Sequence, residues 1–432
     1  MADSPEPNEA AKPRGNGAVA PARGVFGPWI SLVGVTALML TLLVLRPGSF
    51  FDLGINSYGT WFLDSYAILA SNDAQALGLD VYKPNPLDPF HRPHVYSSWW
   101  LYLGCFGLTR ADTGWVGLVL VGGFVATALA TLRPRRYSEA AWYAAVLLAP
   151  PMLLAVNRAN NDLVVFLLLA ILPACVLARS RIVRNVVPFL IAFATGLKYY
   201  PAAAALLLLA GRDRREARAR VVIQALLFAV VGVSIAGDLR RLPGLMPKTE
   251  GLMTFGSTAI PSVLNWRLGP WVVLAGFVGL GIATALWARQ ARSGQSRKLA
   301  GEADTCELRF VLGAALLCAC FWLGMNQGYR WVFAIWLAPW LWREGFSRDD
   351  GAPRDRLARA TGVLLFCVLW TDSAIAVGSN RFIGRVPLDS ILRWTNILYF
   401  VEQPMTWAFF LCLLALLVRH LRSHSVLRRQ EA

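Results

Sequence analysis

The sequence predicts an all-α, polytopic integral membrane protein. Of its 432 residues, 56% are hydrophobic, and the mean hydropathy is +0.48. A chain this apolar cannot fold around one aqueous core. Apolar runs long enough to cross a bilayer recur from near Ile30 to Val418. Backbone groups inside lipid must satisfy each other's hydrogen bonds, so each run is expected to be a helix.

The first apolar segment, Pro28 to Leu45, is too long for a secretion signal and lacks a small-residue cleavage pattern before Arg46. We therefore expect a retained anchor. Residues 1–24 are rich in Pro, Ala, Gly and charge, and predict a disordered cytoplasmic tail. Residues 25–420 are then a single transmembrane domain, and residues 421–432 a basic cytoplasmic tail.

Clusters of Lys and Arg predict which connections lie in the cytoplasm, because cations flanking spans are retained there. The clusters fall at Lys12 to Arg23, Arg133 to Arg136, Arg179 to Arg184, Arg212 to Arg220, Arg289 to Arg309, Arg343 to Arg359, and Arg419 to Arg429. Each interval between clusters can hold one out-and-back hairpin. This gives about twelve crossings, or 10–13 helices, with both termini cytoplasmic in a bacterial plasma membrane.

One hairpin, from Val186 to Ala210, is too short for two full spans. It is expected to turn within Gly196 to Pro201, where Lys198 and two tyrosines interrupt the apolar run. Half-length helices with a buried polar break usually line a cavity.

This topology places the unusual polar segments outside, including a large first loop near 48–98 and further loops near 238–269 and 378–403. The net charge of +16 therefore reflects topology and attraction to lipid surfaces, and no basic patch of a nucleic-acid-binding domain is present. Five charged residues sit at or near external span ends: Arg158, Asp162, Lys198, Arg330 and Asp372. Snorkelling or helix capping explains any one of them alone, but five on one side favour a functional site.

Several kinds of chemistry are disfavoured by what the chain lacks. It has no Asp-x-Asp pair, the usual clamp for a metal-bound nucleotide sugar, and no Walker-type phosphate loop. The stretch from Asp88 to His94 could be drawn as a metal site, but its prolines prevent helical presentation of the side chains. We expect no metal and no other cofactor, with a loop-built metal site as the alternative.

A carboxylate just beyond the first span could instead act as a general base on an acceptor hydroxyl while a phosphate leaves the donor sugar. Lys198, Arg158 and Arg330 are candidates to bind that phosphate. Aromatic residues in the first loop suit sugar faces and lipid tails, although an interfacial aromatic belt explains them equally well. They are Trp61, Tyr66, Tyr82, Tyr96, Trp99 and Trp100.

Four segments of the sequence resemble segments of one known family. The stretch from Asp64 to Tyr82 resembles the first-loop signature of the family 87 glycosyltransferases, in which an Asp precedes Tyr and Ala positions and a Gly-x-x-x-Tyr ending. Gly196 to Pro201 is similar to that family's Lys-x-x-Pro segment. Asn157 to Leu169 resembles its short polar turn leading into a leucine-rich span, and Phe255 to Arg267 resembles a polar Asn/Ser…Arg segment.

The resemblance implies a GT-C fold and inverting, metal-independent transfer from a polyprenyl-phosphate sugar to a glycolipid or polysaccharide hydroxyl at the outer face. It implies that Asp64 is the base, with Asp52 and Asp73 as alternatives. Further substrate-binding candidates are Asp162, Tyr82, Arg92, His94, Asn265 and Arg267.

One departure concerns the donor. Where many family members carry a Ser-Pro…Trp…His stretch, this chain has Asn326 to Trp331, in which Arg330 could contact phosphate bidentately. Mannose is the first expectation for the sugar, and arabinofuranose and others stay open. The competing interpretation is a transporter or lipid-linked sugar flippase, which would also show broken helices and membrane-depth charge. A non-catalytic scaffold is the third.

Overall fold

The structure is a computed structural model, and it describes residues 26–55, 57, 59–210, 214–245, 253–257, 304–347, 354–382 and 388–424. Six helices within these ranges are long and apolar enough to cross a membrane. They are α1 (Phe26–Leu45), α4 (Thr113–Thr131), α10 (Arg214–Ser234), α12 (Thr305–Trp322), α14 (Arg356–Phe382) and the second half of α15 (Leu388–His424). The predicted all-α, multi-pass fold is confirmed, and the count of 10–13 spans over the whole chain stays a prediction.

A bent pair of helices is the seventh candidate span within the described residues. Helices α5 (Tyr137–Leu147) and α6 (Pro150–Arg158) together are long and apolar enough to span, but they meet at an angle of 53°. Pro150 and Pro151 begin α6, and proline cannot continue the hydrogen-bond ladder of the preceding helix. After a short turn the chain continues into α7 (Asp162–Ala170) and α8 (Leu172–Leu177).

A second break lies where the sequence predicts a short turn. Helix α9 (Arg181–Leu197) ends at Lys198, whose backbone is extended (φ −147°, ψ 145°), and a 3-10 helix (Tyr200–Ala210) follows. The interruption therefore falls inside the predicted Gly196 to Pro201 segment and places the buried polar side chains of Lys198 and Tyr200 between two apolar elements.

The region expected to be a large first external loop contains several helical segments. It holds α2 (Ser49–Asp52), α3 (Leu63–Ala76) and a 3-10 helix (Ser98–Phe106), joined by turns. Helix α3 packs through Ile68 against Trp100 and Leu197. A search for apolar runs does not predict α3, because the helix contains many polar residues. The packing of α3 positions Asp64, which lies in its first turn.

A two-stranded antiparallel sheet joins two segments that are distant in the sequence. Strands β1 (Thr254–Gly256) and β2 (Met325–Gln327) pair with Phe255 opposite Asn326. A 3-10 helix (Gly328–Trp336) and α13 (Ala338–Gly345) follow β2, and α11 (Ala236–Leu245) lies between α10 and β1. The external stretch expected near 378–403 is largely helical, since α14 extends to Phe382 and α15 begins at Leu388.

Burial separates the central helices from the lipid-facing ones. In α12, 72% of the membrane-spanning window is buried, against 17% for α4 and 22% for α1 and for α10. Gly313 lets α12 approach the backbone of Phe333 closely, because a Cβ there would lie 2.8 Å from the Phe333 carbonyl oxygen. Phe310 stacks on Trp340 with ring centroids 3.9 Å apart. Helix α12 is therefore the core of the bundle.

Candidate active site

The turn between α6 and α7 brings two buried carboxylates together. Asp64 from α3 is 3% exposed, and Asp162 at the start of α7 is fully buried. Asn160 links them: its side-chain Nδ2 donates to Asp64 Oδ2 at 2.6 Å, and its Oδ1 accepts from the backbone N–H of Asp162 at 2.8 Å. Residues from the first loop and from the membrane bundle thus form one site.

Local backbone geometry holds this turn in place. Ala159 ends α6 in a left-handed conformation (φ 41°), which lets the chain reverse before α7. Helix α3 clamps the turn, because Ser65 Oγ donates to the Ala159 carbonyl at 2.7 Å and Phe62 N–H donates to the Asn157 carbonyl at 2.7 Å. These bonds satisfy backbone groups that would otherwise be buried unpaired.

Two guanidinium groups flank Asp64. Arg92 Nη1 and Arg158 Nη1 each lie 3.6 Å from Asp64 Oδ1. Asp88 orients Arg92 by accepting from its Nε at 3.1 Å and from its Nη2 at 2.8 Å, and Arg92 Nη2 also donates to the Leu63 carbonyl. Burial alone disfavours the charged guanidinium, but the bonds and charges of Asp88 and Asp64 outweigh it and raise the pKa of Arg92.

Asp162 gathers a second group of cations and donors. Its Oδ1 is ion-paired with Lys198 Nζ and accepts from Tyr200 Oη at 2.6 Å, and its Oδ2 lies 3.8 Å from Arg330 Nε. Lys198 lies in the break after α9, outside the membrane-spanning helices. Burial lowers the pKa of Lys198, and the negative charge of Asp162 opposes that shift.

Two tyrosines border the same space. Lys198 Nζ lies 5.8 Å from the ring centroids of both Tyr96 and Tyr329. Burial raises the pKa of both phenols, and the charge of Asp64 raises both further. The charge of Asp162 acts on both hydroxyls in the same direction, so both phenols stay neutral and able to donate hydrogen bonds.

Comparison with known proteins then decides the family. The model of glycosyltransferase family 87 matches residues 100–318, about half of the chain. The chain belongs to glycosyltransferase family 87. It is therefore a membrane glycosyltransferase, with a sugar donor and a glycan or lipid acceptor. Neither the curated proteins nor the solved structures gave a match.

The matched segment of this family 87 protein includes Arg158, Asp162 and Lys198, while Asp64 and Arg330 lie on either side of it. The structure gathers these five residues around one polar turn. Asp372, the remaining charged residue that the sequence places near an external span end, lies elsewhere. It is buried in α14, and its Oδ2 accepts from the backbone N–H of Met253 at 2.9 Å, beside strand β1.

Tyr82 and His94 form a neighbouring cluster. Tyr82 Oη donates to Asp238 Oδ1 at 3.2 Å, while Ser98 donates to Asp238 Oδ2 through its N–H and its hydroxyl. His94 is 1% exposed, and its Nε2 lies 3.1 Å from the Ser97 carbonyl oxygen. Tyr82 and Ser98 tie the first loop to α11, whereas His94 packs within the loop against Tyr82 and Tyr96.

The remaining sequence candidates lie away from this site or outside the described residues. Asp52 is exposed at the end of α2, and Asp73 pairs with Arg110 at 3.6 Å, so neither lies in the pocket. Asn265 and Arg267 lie outside the described residues. Within the described ranges, no group of three or more His, Cys, Asp and Glu side chains is close enough to hold a metal ion.

Sequence reasoning missed four residues that shape the pocket: Asn160, Asp88, Tyr200 and Tyr329. Asn160 was visible only as one of three amides in the Asn157 to Asp162 turn, and nothing in the pattern distinguished it. Asp88 was considered as a metal ligand, whereas it orients Arg92. The two amide atoms of Asn161 are buried without a hydrogen-bond partner among the described residues, a feature that points to a ligand.

Proposed function

We propose that this family 87 enzyme transfers a sugar, with mannose as the first candidate, from a polyprenyl-phosphate donor to a hydroxyl of a glycolipid or polysaccharide. The transfer takes place at the extracytoplasmic face of the cell membrane and inverts the anomeric centre. Asp64 is the base, and no step of the reaction requires a metal.

One observation carries the proposal. The buried carboxylate of Asp64 accepts from the Asn160 side chain, which also accepts from the backbone of Asp162, and Asp162 in turn holds Lys198 and Arg330 from two distant elements. A base and a phosphate-binding pair on one side of the bundle are what direct displacement at a sugar carbon requires.

The reaction follows from this arrangement. The acceptor oxygen forms a bond to the anomeric carbon as its proton passes to Asp64. The bond between that carbon and the phosphate oxygen breaks, and the polyprenyl phosphate leaves with the electron pair. Lys198 and Arg330 stabilise the charge that develops on the phosphate, and displacement from the opposite face accounts for inversion.

The donor class is supported by the position of the pocket and by family resemblance. The break after α9 and the turn after α6 lie at the ends of apolar elements, so a phosphate held there can keep its hydrocarbon chain in lipid. Tyr96 and Tyr329 present neutral hydroxyl groups and ring faces suited to a sugar. Arg158 and Arg92 would orient Asp64 and the acceptor hydroxyl.

The test is a reconstituted transfer assay with radiolabelled polyprenyl-phosphate sugars, comparing wild type with Asp64→Asn. We expect the turnover rate to fall by about 10²- to 10⁴-fold, because the amide cannot accept the proton. Lys198→Met is expected to weaken donor use as well. The matched control is Asp73→Asn, an acid of the same helix that lies away from the pocket.

Undiminished transfer by Asp64→Asn, or an equal loss in Asp73→Asn, would exclude Asp64 as the base. Movement of a labelled lipid-linked sugar across the vesicle membrane without any transfer would instead favour a flippase.

A further inference from the structure

A second polar cavity lies far from the proposed active site. It has a volume of about 470 Å³ and is lined by the α4–α5 connection, the first residues of α12, and α13. Its lining includes Arg133, Arg135, Arg136 and Arg343, together with Trp342 and Phe346. None of these residues takes part in the proposed transfer reaction.

Two chain segments show that this cavity sits at the opposite end of the bundle. The bent α5–α6 crossing carries Glu139 at the cavity and Arg158 beside Asp64. The segment from Gly328 to Gly345 carries Arg330 beside Asp162 and Arg343 at the cavity. At about 1.5 Å per helical residue, the separation is on the order of 25 Å. Since the active site is proposed to be external, the cavity faces the cytoplasm.

The acids of the cavity are already engaged by neighbouring groups. Arg343 pairs with Asp304 at 2.5 Å, with Glu307 at 3.4 Å and with Glu344 at 3.0 Å. Glu139 accepts from the Arg135 backbone N–H at 2.7 Å and from Tyr143 Oη at 2.6 Å. Arg343 is therefore already occupied by acids, while Glu139 is held by the Arg135 backbone and by Tyr143.

The side chains of Arg133 and Arg135 form no ion pair among the described residues. Arg133 Nε donates to the Ala130 carbonyl at 3.1 Å, which leaves its two terminal nitrogens directed by no acid. Arg309 lies one helical turn beyond Cys306 of the cavity wall, and its Nε is buried without a hydrogen-bond partner within the described ranges. Cytoplasmic retention of cations explains why arginines occur here, but not why they line a cavity.

Aromatic rings form one wall of the cavity. The Trp342 and Phe346 rings stack with centroids 5.5 Å apart, and Trp142 packs against both at 6.4 and 5.6 Å. Tryptophan and tyrosine favour the level of lipid headgroups, and basic pockets between helices at the cytoplasmic face suit anionic headgroups. The cavity thus combines guanidinium donors for a phosphate with a wall for the glycerol and first acyl carbons.

We propose that this cavity binds the phosphate of an anionic phospholipid headgroup, with Arg133 and Arg135 as its principal contacts. The guanidinium fork matches two phosphate oxygens, and the headgroup of a neighbouring lipid reaches the cavity without leaving the membrane. This inference rests on the proposed orientation in the membrane, but not on the sugar, the donor or the base of the transfer reaction.

The test measures binding of dioctanoyl phosphatidylglycerol to the purified full-length protein in a neutral detergent, by native mass spectrometry and calorimetric titration. Wild type is expected to bind it at least about tenfold more tightly than dioctanoyl phosphatidylcholine. Arg133→Gln/Arg135→Gln is expected to lose at least about tenfold in affinity. Arg179→Gln, an exposed arginine of the same predicted face outside the cavity, is the control and should bind like wild type.

Equal binding by wild type and the double variant, or equal affinity for the two lipids, would overturn the proposal. Glycerol 1-phosphate bound as tightly as the lipid would support the phosphate site but assign it to a soluble ligand. If the glutamine variant does not fold, Arg133→Lys/Arg135→Lys replaces it. The lysine variant keeps the positive charge but loses the guanidinium group that can bind two phosphate oxygens. Its affinity is expected to lie between those of wild type and the glutamine variant, and its melting temperature is expected to equal that of wild type.

Discussion

Asp64 and Asp162 differ in what surrounds them, and this difference separates their proposed roles. Asp64 meets two guanidinium groups at 3.6 Å and one amide donor, so its oxygens keep room for a hydroxyl proton. Asp162 is fully buried and holds Lys198, Tyr200 and Arg330 at once. We infer that Asp162 positions the phosphate-binding cations and takes no proton from the acceptor.

This role predicts a specific pattern of stability. Asp162→Asn leaves the buried Lys198 and the partly buried Arg330 without their counter-charge and should destabilise the protein by about 3–5 kcal/mol. Asp162→Asn/Lys198→Met removes one of those cations as well and should recover part of the loss. The measurement is thermal unfolding of both single variants and the double variant in detergent. Simple addition of the two single effects would contradict the inferred coupling.

His94 predicts how stability depends on pH. Burial lowers the pKa of His94, so the folded protein binds a proton there less readily than the unfolded chain does. Its contribution to stability is therefore present above the pKa of the unfolded chain and is lost as the pH falls toward the lowered value. The groups that face the ring are Tyr82, Tyr96, Ser97 and Asp238.

We expect the melting temperature of wild type to fall between about pH 7.5 and about pH 5.5, and to fall less in His94→Asn. Scans of both proteins at both pH values check this. An identical fall in the two proteins would assign the pH dependence to other groups.

At the scale of the elements, the pocket exists because two membrane segments are broken. The turn after α6 and the break after α9 each place polar residues where an unbroken helix would present apolar ones. The first-loop helix α3 and the 3-10 helix from Ser98 to Phe106 then pack against these breaks. Trp100 Nε1 donates to the Leu197 carbonyl at 3.1 Å, which satisfies a backbone acceptor freed by the end of α9.

A substitution at Gly196 tests how tightly the 3-10 helix packs against the end of α9. A Cβ at Gly196 would overlap the ring of Trp99, so Gly196→Ala must displace the Ser98 to Phe106 helix or the end of α9. We expect a loss of about 1–3 kcal/mol in stability and a lower transfer rate, since Lys198 lies two residues away.

The matched control is Gly232→Ala in α10. A Cβ there meets nothing within 4 Å, and alanine favours the helix by about 0.5–1 kcal/mol over glycine. Thermal unfolding of the two variants should therefore move in opposite directions. A neutral or stabilising Gly196→Ala would show that the ring and the helix end are not tightly packed.

For the whole molecule, the proposal requires that the pocket and the basic cavity face opposite sides of the membrane. Lys83 lies in the first loop, on the side proposed to be external, and its side chain is 76% exposed. Arg179 lies between α8 and α9 at a predicted cytoplasmic turn. These two positions report the orientation without touching either site.

In a variant without its seven native cysteines, Lys83→Cys should react with a membrane-impermeant maleimide in intact cells. Arg179→Cys should react only after the membrane is opened. Labelling of both in intact cells, or the reverse pattern, would contradict the proposed orientation.

The sequence alone determined the all-α membrane fold, because a bilayer leaves an apolar chain no other way to satisfy its backbone. It also placed the break at Gly196 to Pro201 and pointed to Lys198 and Arg330, since charge at membrane depth is costly and therefore conspicuous. Asp64 followed from the resemblance of the first loop to the family signature. Helix α3 and the roles of Asp88 and Asn160 could not be obtained in this way. These residues are ordinary polar residues in the sequence, and their partners are distant in the chain.

Only the tertiary structure decided which charges meet. It gathered Asp64 with Arg92 and Arg158, and Asp162 with Lys198 and Arg330, while it left Asp372, Tyr82 and His94 in other surroundings. Membrane-depth cost selects candidate residues one at a time along the chain. Pairing depends on how broken helices pack against the first loop, and that packing is set by contacts between segments far apart in the sequence.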